Sequence, residues 1–300
     1  MQAMILAAGY GTRLLPFTRH RPKPLFPVLN IPLLHLIIAR LQAAGFDHII
    51  VNCHHLGHQI STSLAGIKGV SIQEEDCILG TGGALRRALS RLRDEPLLVT
   101  NGDIYHTIDF DALYQAHLQS DGVATLAVHD CPRFNSLLVE GDQLQGITSY
   151  ASGAALAFTG VHVIDPQVLR PIAKDQQSCI IERYRQLLKQ HRTIVVQRVD
   201  DAGGGTFWTD IGTPADYLEL HGGLLQGKIP RWPELAGHLA GPVLQDHRAG
   251  VGAGLQCLDW ACIGNATIGE NVSLRRCVVW DGAVIADNSS IQDEIVTRFR

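Results

Sequence analysis

Three hundred residues, 46% of them hydrophobic, exceed one average domain and leave room for a large α/β core with a smaller appendage. A formal charge of −4 without a basic block argues against a nucleic-acid surface, and no run of about 18 apolar residues offers a membrane span. Seven cysteines, at 53, 77, 131, 179, 257, 262 and 277, form no Cys-x-x-Cys pair and are odd in number, so they indicate neither a zinc knuckle nor a disulfide framework. The start of the chain has no basic and then apolar leader, which predicts a soluble, cytoplasmic protein with reduced thiols.

A short apolar run over 4–8 predicts a buried strand that empties into Gly9-Tyr10-Gly11-Thr12-Arg13, where two glycines permit a tight turn whose backbone N–H groups can hold phosphate. Arg13 offers a planar, always-charged fork, and Lys23 a point charge between Pro22 and Pro24, so two cations converge on one loop mouth. Leu14 stands where a dinucleotide fingerprint has its third glycine, and no Walker Gly-Lys-Ser/Thr is present.

Helical spacing over 33–44 ends at Gly45, Ile49-Ile50-Val51 predicts a strand covered on both faces, and 57–64 predicts the next helix. That is the rhythm of a doubly wound parallel sheet, whose ligands lie at the carboxyl ends of the strands. His54, His55 and His58 have an i, i+4 pair without the glutamate of a zincin, and are read as a polar helix start. After a strand over 70–73, Glu75 and Leu79-Gly80-Thr81-Gly82-Gly83 open a helix; such glycines serve equally for helix packing or for close approach to a flat ligand. The strand over 96–100 ends in Asn101-Gly102-Asp103, which places a carboxylate where it can hold Mg²⁺ against triphosphate oxygens.

Strands over 123–128, 157–164 and 195–199 and helices over 109–118 and 179–190 continue the pattern, and a further helix begins at Asp216. The Gly- and Pro-rich 227–254 stretch marks a boundary, dividing the chain into 1–228 and 229–300. Beyond it aliphatic residues recur at six-residue offsets, Ile268 with Leu274 and then Val279, Ile285 and Ile291, enough for about two coils. Coils so few cannot bury their faces singly, so the tail is expected to lean on the rest of the chain or to form a homo-oligomer.

The string from Gly9 to Val28 resembles the G-x-G-T-R-L-x-P-x-T and P-K-P-L-x-P-V signature of the sugar-1-phosphate nucleotidylyltransferases. Leu79-Gly80-Thr81-Gly82-Gly83-Ala84-Leu85, Gly102-Asp103 and Trp208-Thr209-Asp210-Ile211-Gly212-Thr213-Pro214 are similar to further motifs of that family. The resemblance implies a Rossmann-like, mostly parallel α/β sheet with a short left-handed β-helix tail, and the reaction of an NTP with a sugar 1-phosphate. It implies Mg²⁺ on Asp103 and Asp210, with Arg13, Lys23 and Asp103 as the catalytic set. Leu6, Ala7, Ala8, Gly9, Gly11, Thr12, Arg13, Lys23, Glu75, Thr81, Gly82, Gly83, Asn101 and Gly102 are the expected nucleotide site, and Asn135, Thr159, Gly160 and Glu182 the expected sugar-phosphate site.

Two departures stand on the sugar side. Arg133-Phe134-Asn135-Ser136 has no glycine where relatives commonly carry Tyr-Gly, so the Asn135 amide is offered in its place, and Ser149-Tyr150-Ala151-Ser152-Gly153 has no Glu-Lys-Pro lysine. The stretch over 51–60 is similar to N-acetylmuramate-1-phosphate uridylyltransferases and sets UTP slightly ahead. The tail is similar to mannose-1-phosphate guanylyltransferases, and 79–84 also suits heptose-1-phosphate guanylyltransferases. A catalytically silent nucleotide-sugar sensor is the alternative from another class; the lost motifs favour it and the retained Arg13, Lys23, Asp103 and Asp210 disfavour it.

Overall fold

The computed structural model describes residues 1–148, 155–200, 206–238 and 241–298; the 149–153 stretch without the Glu-Lys-Pro lysine and Gly203-Gly204-Gly205 lie outside the described residues. The chain divides into two interleaved compact units, the first comprising residues 1–10, 37–102 and 108–208, the second 11–36, 103–107 and 209–300.

The first unit is built on a nine-stranded sheet in the order Val70–Glu74, His48–Cys53, Gln2–Leu6, Leu97–Asn101, Ala155–Ile164, Ala124–His129, Ile194–Arg198, Gln143–Ile147 and Leu137–Glu140. The first four run parallel, as does the Ala124–His129 and Ile194–Arg198 pair; Ala155–Ile164 and Gln143–Ile147 run against the others, so the α/β sheet is mixed. The apolar runs Ile49-Ile50-Val51 and Leu97-Leu98-Val99 are fully buried, as strands covered on both faces must be. Helices Gly80–Ala88 and Ile180–Lys189 bring Ala84, Leu85, Ala88, Ile180, Tyr184 and Leu187 into one core with Met4, Ile50 and Val99. At about 25 cal/mol per Å² of apolar surface removed from water, this shared core is the main force holding the sheet and these helices together.

His162, on Ala155–Ile164, lies in that core against Tyr184, and neither ring nitrogen has a partner among the described residues. Burial pulls its imidazole down to about 3. The unfolded chain therefore takes up the proton first, so this contribution to stability is complete above pH ~6.5 and is lost as pH falls from there toward 3. We expect the urea midpoint of unfolding to drop between about pH 7.5 and about pH 5, and His162→Phe to flatten that slope.

The second unit gathers the loop over 11–36, the strand Ile104–His106, the helix Pro214–Leu225 and the C-terminal strands. The helix begins at Thr213, whose hydroxyl accepts from Asp216 N at 3.2 Å. Val243–Gln245, Gln256–Ile263, Ser273–Val279 and Ser290–Gln292 form one parallel sheet, and Gly250–Val251, Thr267–Ile268 and Val284–Ile285 another. Gly250 pairs with Thr267 and Thr267 with Val284, so each pass around the stack takes 17 residues, close to three hexapeptides. Ile263, Ile268, Leu274, Val279, Ile285 and Val296 fill its interior. The stack begins at Val243, one pass earlier than the two coils expected, because two- and three-residue strands among glycines and prolines carry too little pattern to register as repeats. Among the described residues no helix is long and apolar enough to cross a membrane.

Candidate active site

Within the second unit, the loop that follows Gly11 is a chain of short 3-10 turns, Thr12–Leu14, Phe17–Arg19 and Lys23–Leu25. Gly11 has φ +62, and a Cβ there would lie 2.8 Å from Thr18 Cγ2, so glycine is needed for both the turn and the close approach. The Thr18 hydroxyl donates to Gly11 O at 3.1 Å and ties the turn shut. Asp103 is held by the neighbouring strand Ile104–His106, which pairs with Trp208–Asp210, and Ile211 N donates to Asp103 O at 3.3 Å. Tyr105 on that strand stacks on Trp232 at 4.2 Å, and its hydroxyl donates to Pro230 O at 2.9 Å.

These supports bring four of the expected site residues into one ion network. Lys23 Nζ donates to Asp103 Oδ2 at 2.6 Å and to Asp210 Oδ1 at 2.9 Å, while Arg13 Nη2 donates to Asp210 Oδ2 at 2.9 Å. Lys23 is only 7% exposed, whereas the Arg13 side chain is 55% exposed. Burial pushes the Asp210 carboxyl up, but Lys23 and Arg13 outweigh it and hold the group below the usual carboxylate range. A Cβ on Gly212 would lie 2.6 Å from Arg13 Nη1 and 2.7 Å from Asp210 Oδ2. Gly212→Ala should therefore push that pair apart and lower kcat/KM by about tenfold, read from initial rates over a range of NTP concentrations.

The C-terminal stack is the backing of this loop. Trp280 is 2% exposed and meets Phe26 edge to face at 4.7 Å and Phe17 at 6.0 Å, with the Arg21 guanidinium 4.6 Å over its ring. Its Nε1 donates to the Tyr217 hydroxyl at 3.1 Å, and that hydroxyl donates to Pro27 O. Asn30 Nδ2 donates to Ile263 O at 2.9 Å, so the stack grips both halves of the loop.

In the first unit, Leu6, Ala7, Ala8 and Gly9 leave the carboxyl end of their strand beside Asn101 and Gly102, and Gly102 N donates to Leu6 O at 2.9 Å. Gly160, at φ +83, lies so close to Asn101 that a Cβ would sit 2.5 Å from its amide nitrogen. Thr159 Oγ1 donates to Ala127 O at 2.8 Å, and Thr159 O accepts from Trp208 Nε1 at 2.8 Å. Glu75 is 5% exposed and accepts from Asn52 Nδ2 at 2.8 Å, Gln73 Nε2 at 3.2 Å and Leu79 N at 3.3 Å. Asn52 in turn accepts from Ala7 N at 2.8 Å, so a buried polar chain aligns the first strand end with the glycine helix. Asn52 was missed from sequence; a lone amide at the end of an apolar strand was the available signal.

The glycines of that helix face protein. A Cβ on Gly80 would lie 2.5 Å from Ser178 O, and one on Gly83 2.4 Å from Gln176 O, while Thr81 Oγ1 accepts from Ile180 N at 2.9 Å. Both ends of the Asn135 amide are engaged locally, Nδ2 with Asp130 at 2.8 Å and Oδ1 with Cys131 N at 2.9 Å. Glu182 has a 62% exposed side chain paired with Arg185, one helical turn along. The structure thus brings Leu6 to Gly9, Asn101 and Gly102 together at neighbouring strand ends, with Gly160, midway along its own strand, against Asn101, and gives Asn135 and Glu182 other partners.

Residues 2–136 match the nucleotidyl transferase family. The N-acetylmuramate alpha-1-phosphate uridylyltransferase of Neisseria meningitidis serogroup B is 33% identical over 225 residues, which cover 71% of this chain and 94% of that relative. The chain belongs to the sugar-1-phosphate nucleotidyltransferase family. This nucleotidyltransferase is also 27% identical over 296 residues to the mannose-1-phosphate guanylyltransferase of Mycobacterium tuberculosis, covering 94% of this chain and 80% of that one. Its fold is shared by HddC from Yersinia pseudotuberculosis, crystallised with GMP-PN, at a TM-score of 0.61 and 23% identity over 73% of this chain and 97% of that chain. A Bacillus anthracis protein crystallised with sucrose gives a TM-score of 0.66 at 19% identity over 79% of this chain and 99% of its own.

Proposed function

We propose that this chain transfers a nucleotidyl group from an NTP to a sugar 1-phosphate, giving an NDP-sugar and pyrophosphate, with Mg²⁺ as the divalent cation. The observation that carries the reading is the single ion network of Arg13, Lys23, Asp103 and Asp210. Among the described residues no group of three or more His, Cys, Asp or Glu gathers to hold a metal alone, which suits an ion that keeps several waters and takes the rest of its ligands from substrate phosphates. Asp103 and Asp210 would hold it, and when bound it supplies neutralisation of charge at the reacting phosphates.

The attacking oxygen belongs to a phosphate monoester whose second pKa is about 6, so it is already anionic near neutrality and needs no general base. A bond forms from that oxygen to the α-phosphorus as the bond to the bridging oxygen breaks, and the electron pair leaves with pyrophosphate. What the protein must do is hold two anions in line and lower their repulsion. Arg13 faces the leaving β- and γ-phosphates, and Lys23 the transferred α-phosphate and the sugar phosphate. We assign Leu6 to Gly9, Gly11, Thr12, Glu75, Thr81 to Gly83, Asn101 and Gly102 to the nucleotide, and Thr159 and Gly160 to the sugar phosphate, which Asn135 and Glu182 would meet by exchanging their present partners for it.

UTP with N-acetylmuramate 1-phosphate or a similar hexose 1-phosphate is the first pairing, supported by the 33% identity to the Neisseria relative. GTP with mannose or heptose 1-phosphate is the second reading, because the Mycobacterium guanylyltransferase aligns over 94% of this chain. A catalytic part over 1–228, a left-handed β-helix tail within 229–300, assembly through that tail and a cytoplasmic location complete the proposal; the 17-residue step of parallel strands supports the tail. Pyrophosphate release with each NTP against a panel of sugar 1-phosphates tests it. Release with one pair names the substrates, and tight nucleotide binding without release from any pair replaces the enzyme with a sensor.

A further inference from the structure

The ion network has a feature that its parts do not show separately: Lys23 sits on the two carboxylates that would hold the cation. Its Nζ is within hydrogen-bond distance of an oxygen from each, and the second oxygen of Asp210 is taken by Arg13. Two carboxylates and two fixed cations leave the cluster formally neutral. A Mg²⁺ ion needs oxygens at about 2.0–2.1 Å, nearly where the ammonium stands, and two cations sharing those oxygens at so short a range repel strongly. Lys23 is buried, so solvent screens that repulsion poorly.

We propose that Lys23 is the resting counter-ion of Asp103 and Asp210, and that a divalent cation competes with it for their oxygens, displacing it far more readily when a phosphate is present to take the ammonium. The inference rests on the metal reading above and deepens it: metal binds weakly ahead of the triphosphate and tightly together with it. Charge balance points the same way. A bare divalent ion adds two positive charges to a neutral cluster, whereas the metal–triphosphate complex arrives with net negative charge and gives both Lys23 and Arg13 new partners. With the triphosphate bound, Lys23 therefore exchanges carboxylate oxygens for phosphate oxygens, and the buried ammonium keeps a counter-charge that metal alone would take from it.

Direct Mn²⁺ binding, followed by electron paramagnetic resonance without nucleotide, tests this without any turnover. Lys23→Met should bind Mn²⁺ about tenfold more tightly than the wild type, and adding Asp103→Asn should abolish the gain. A second measurement uses the unaltered protein: acetic anhydride labelling of Lys23, read by mass spectrometry, should rise as saturating Mn²⁺ frees the ammonium. Unchanged Mn²⁺ affinity in Lys23→Met, or Mn²⁺ bound at Asp103 with Lys23 labelling unmoved, overturns the counter-ion role alone. Mn²⁺ binding in the presence of a non-hydrolysable NTP that is indifferent to Asp103→Asn and Asp210→Asn overturns the metal reading itself.

Discussion

Asp103→Asn and Asp210→Asn should each lower kcat by about a thousandfold, the scale expected when a preorganised charge is removed from a phosphoryl-transfer site. Asparagine keeps the size of the side chain and loses the charge that opposes Lys23, so the strand Ile104–His106 and its stack on Trp232 should persist. Circular dichroism and the thermal midpoint check that the fold is intact, and pyrophosphate release measures the loss. Rates near wild type from both variants would remove the carboxylates from the chemistry. The two substitutions should differ in one respect. Asp210 also anchors Arg13, so its variant should raise the NTP KM as well, whereas Asp103 has no contact with Arg13 among the hydrogen bonds of the network.

Trp280→Ala should cost about a hundredfold in kcat although the residue belongs to the C-terminal stack, because a displacement of about 1 Å in a positioned charge is worth that much. The indole is wedged among Phe17, Arg21, Phe26 and Tyr217, and its removal leaves a cavity directly behind the turn that presents Lys23. Leu274→Ala, which opens a hole inside the stack away from the loop, serves as the contrast. It should lower the melting temperature, consistent with a cost of about 2–5 kcal/mol, and leave kcat unchanged well below that temperature. Trp280→Phe should recover much of the rate, since a ring still fills the space even though the bond to Tyr217 is gone. Equal kinetic losses from Leu274→Ala and Trp280→Ala would show that general stability, and not placement of the loop, explains the effect.

Much of the ion network was legible in the sequence because its signals are local. A glycine turn after an apolar strand, a lysine between prolines and a carboxylate just past a strand end each declare themselves within a few residues. The resemblance to a known family supplied Asp210 as the partner of Asp103, and the structure puts both on one ammonium. The parts that stayed hidden depend on long-range contact. Nothing near Asn52 says that its amide joins Ala7 to Glu75, and nothing near Trp280 says that its ring backs a loop from the other end of the chain. The glycines from Gly80 to Gly83 were open to two readings, and their close approach to Gln176 and Ser178 shows how much of their need is packing. Asn135 shows the converse: an amide with apparent freedom to meet a sugar is occupied by its own turn.

The dependence of the loop over 11–36 on Trp280 and Ile263 also constrains the order in which the protein comes into being. During synthesis Arg13 and Lys23 leave the ribosome well before Ile263 and Trp280, which brace their loop. Until those two residues are in place, Phe26 has no indole to lie against and Asn30 no carbonyl to hold. Arg13 and Lys23 thus wait on residues made long after them before their loop is braced.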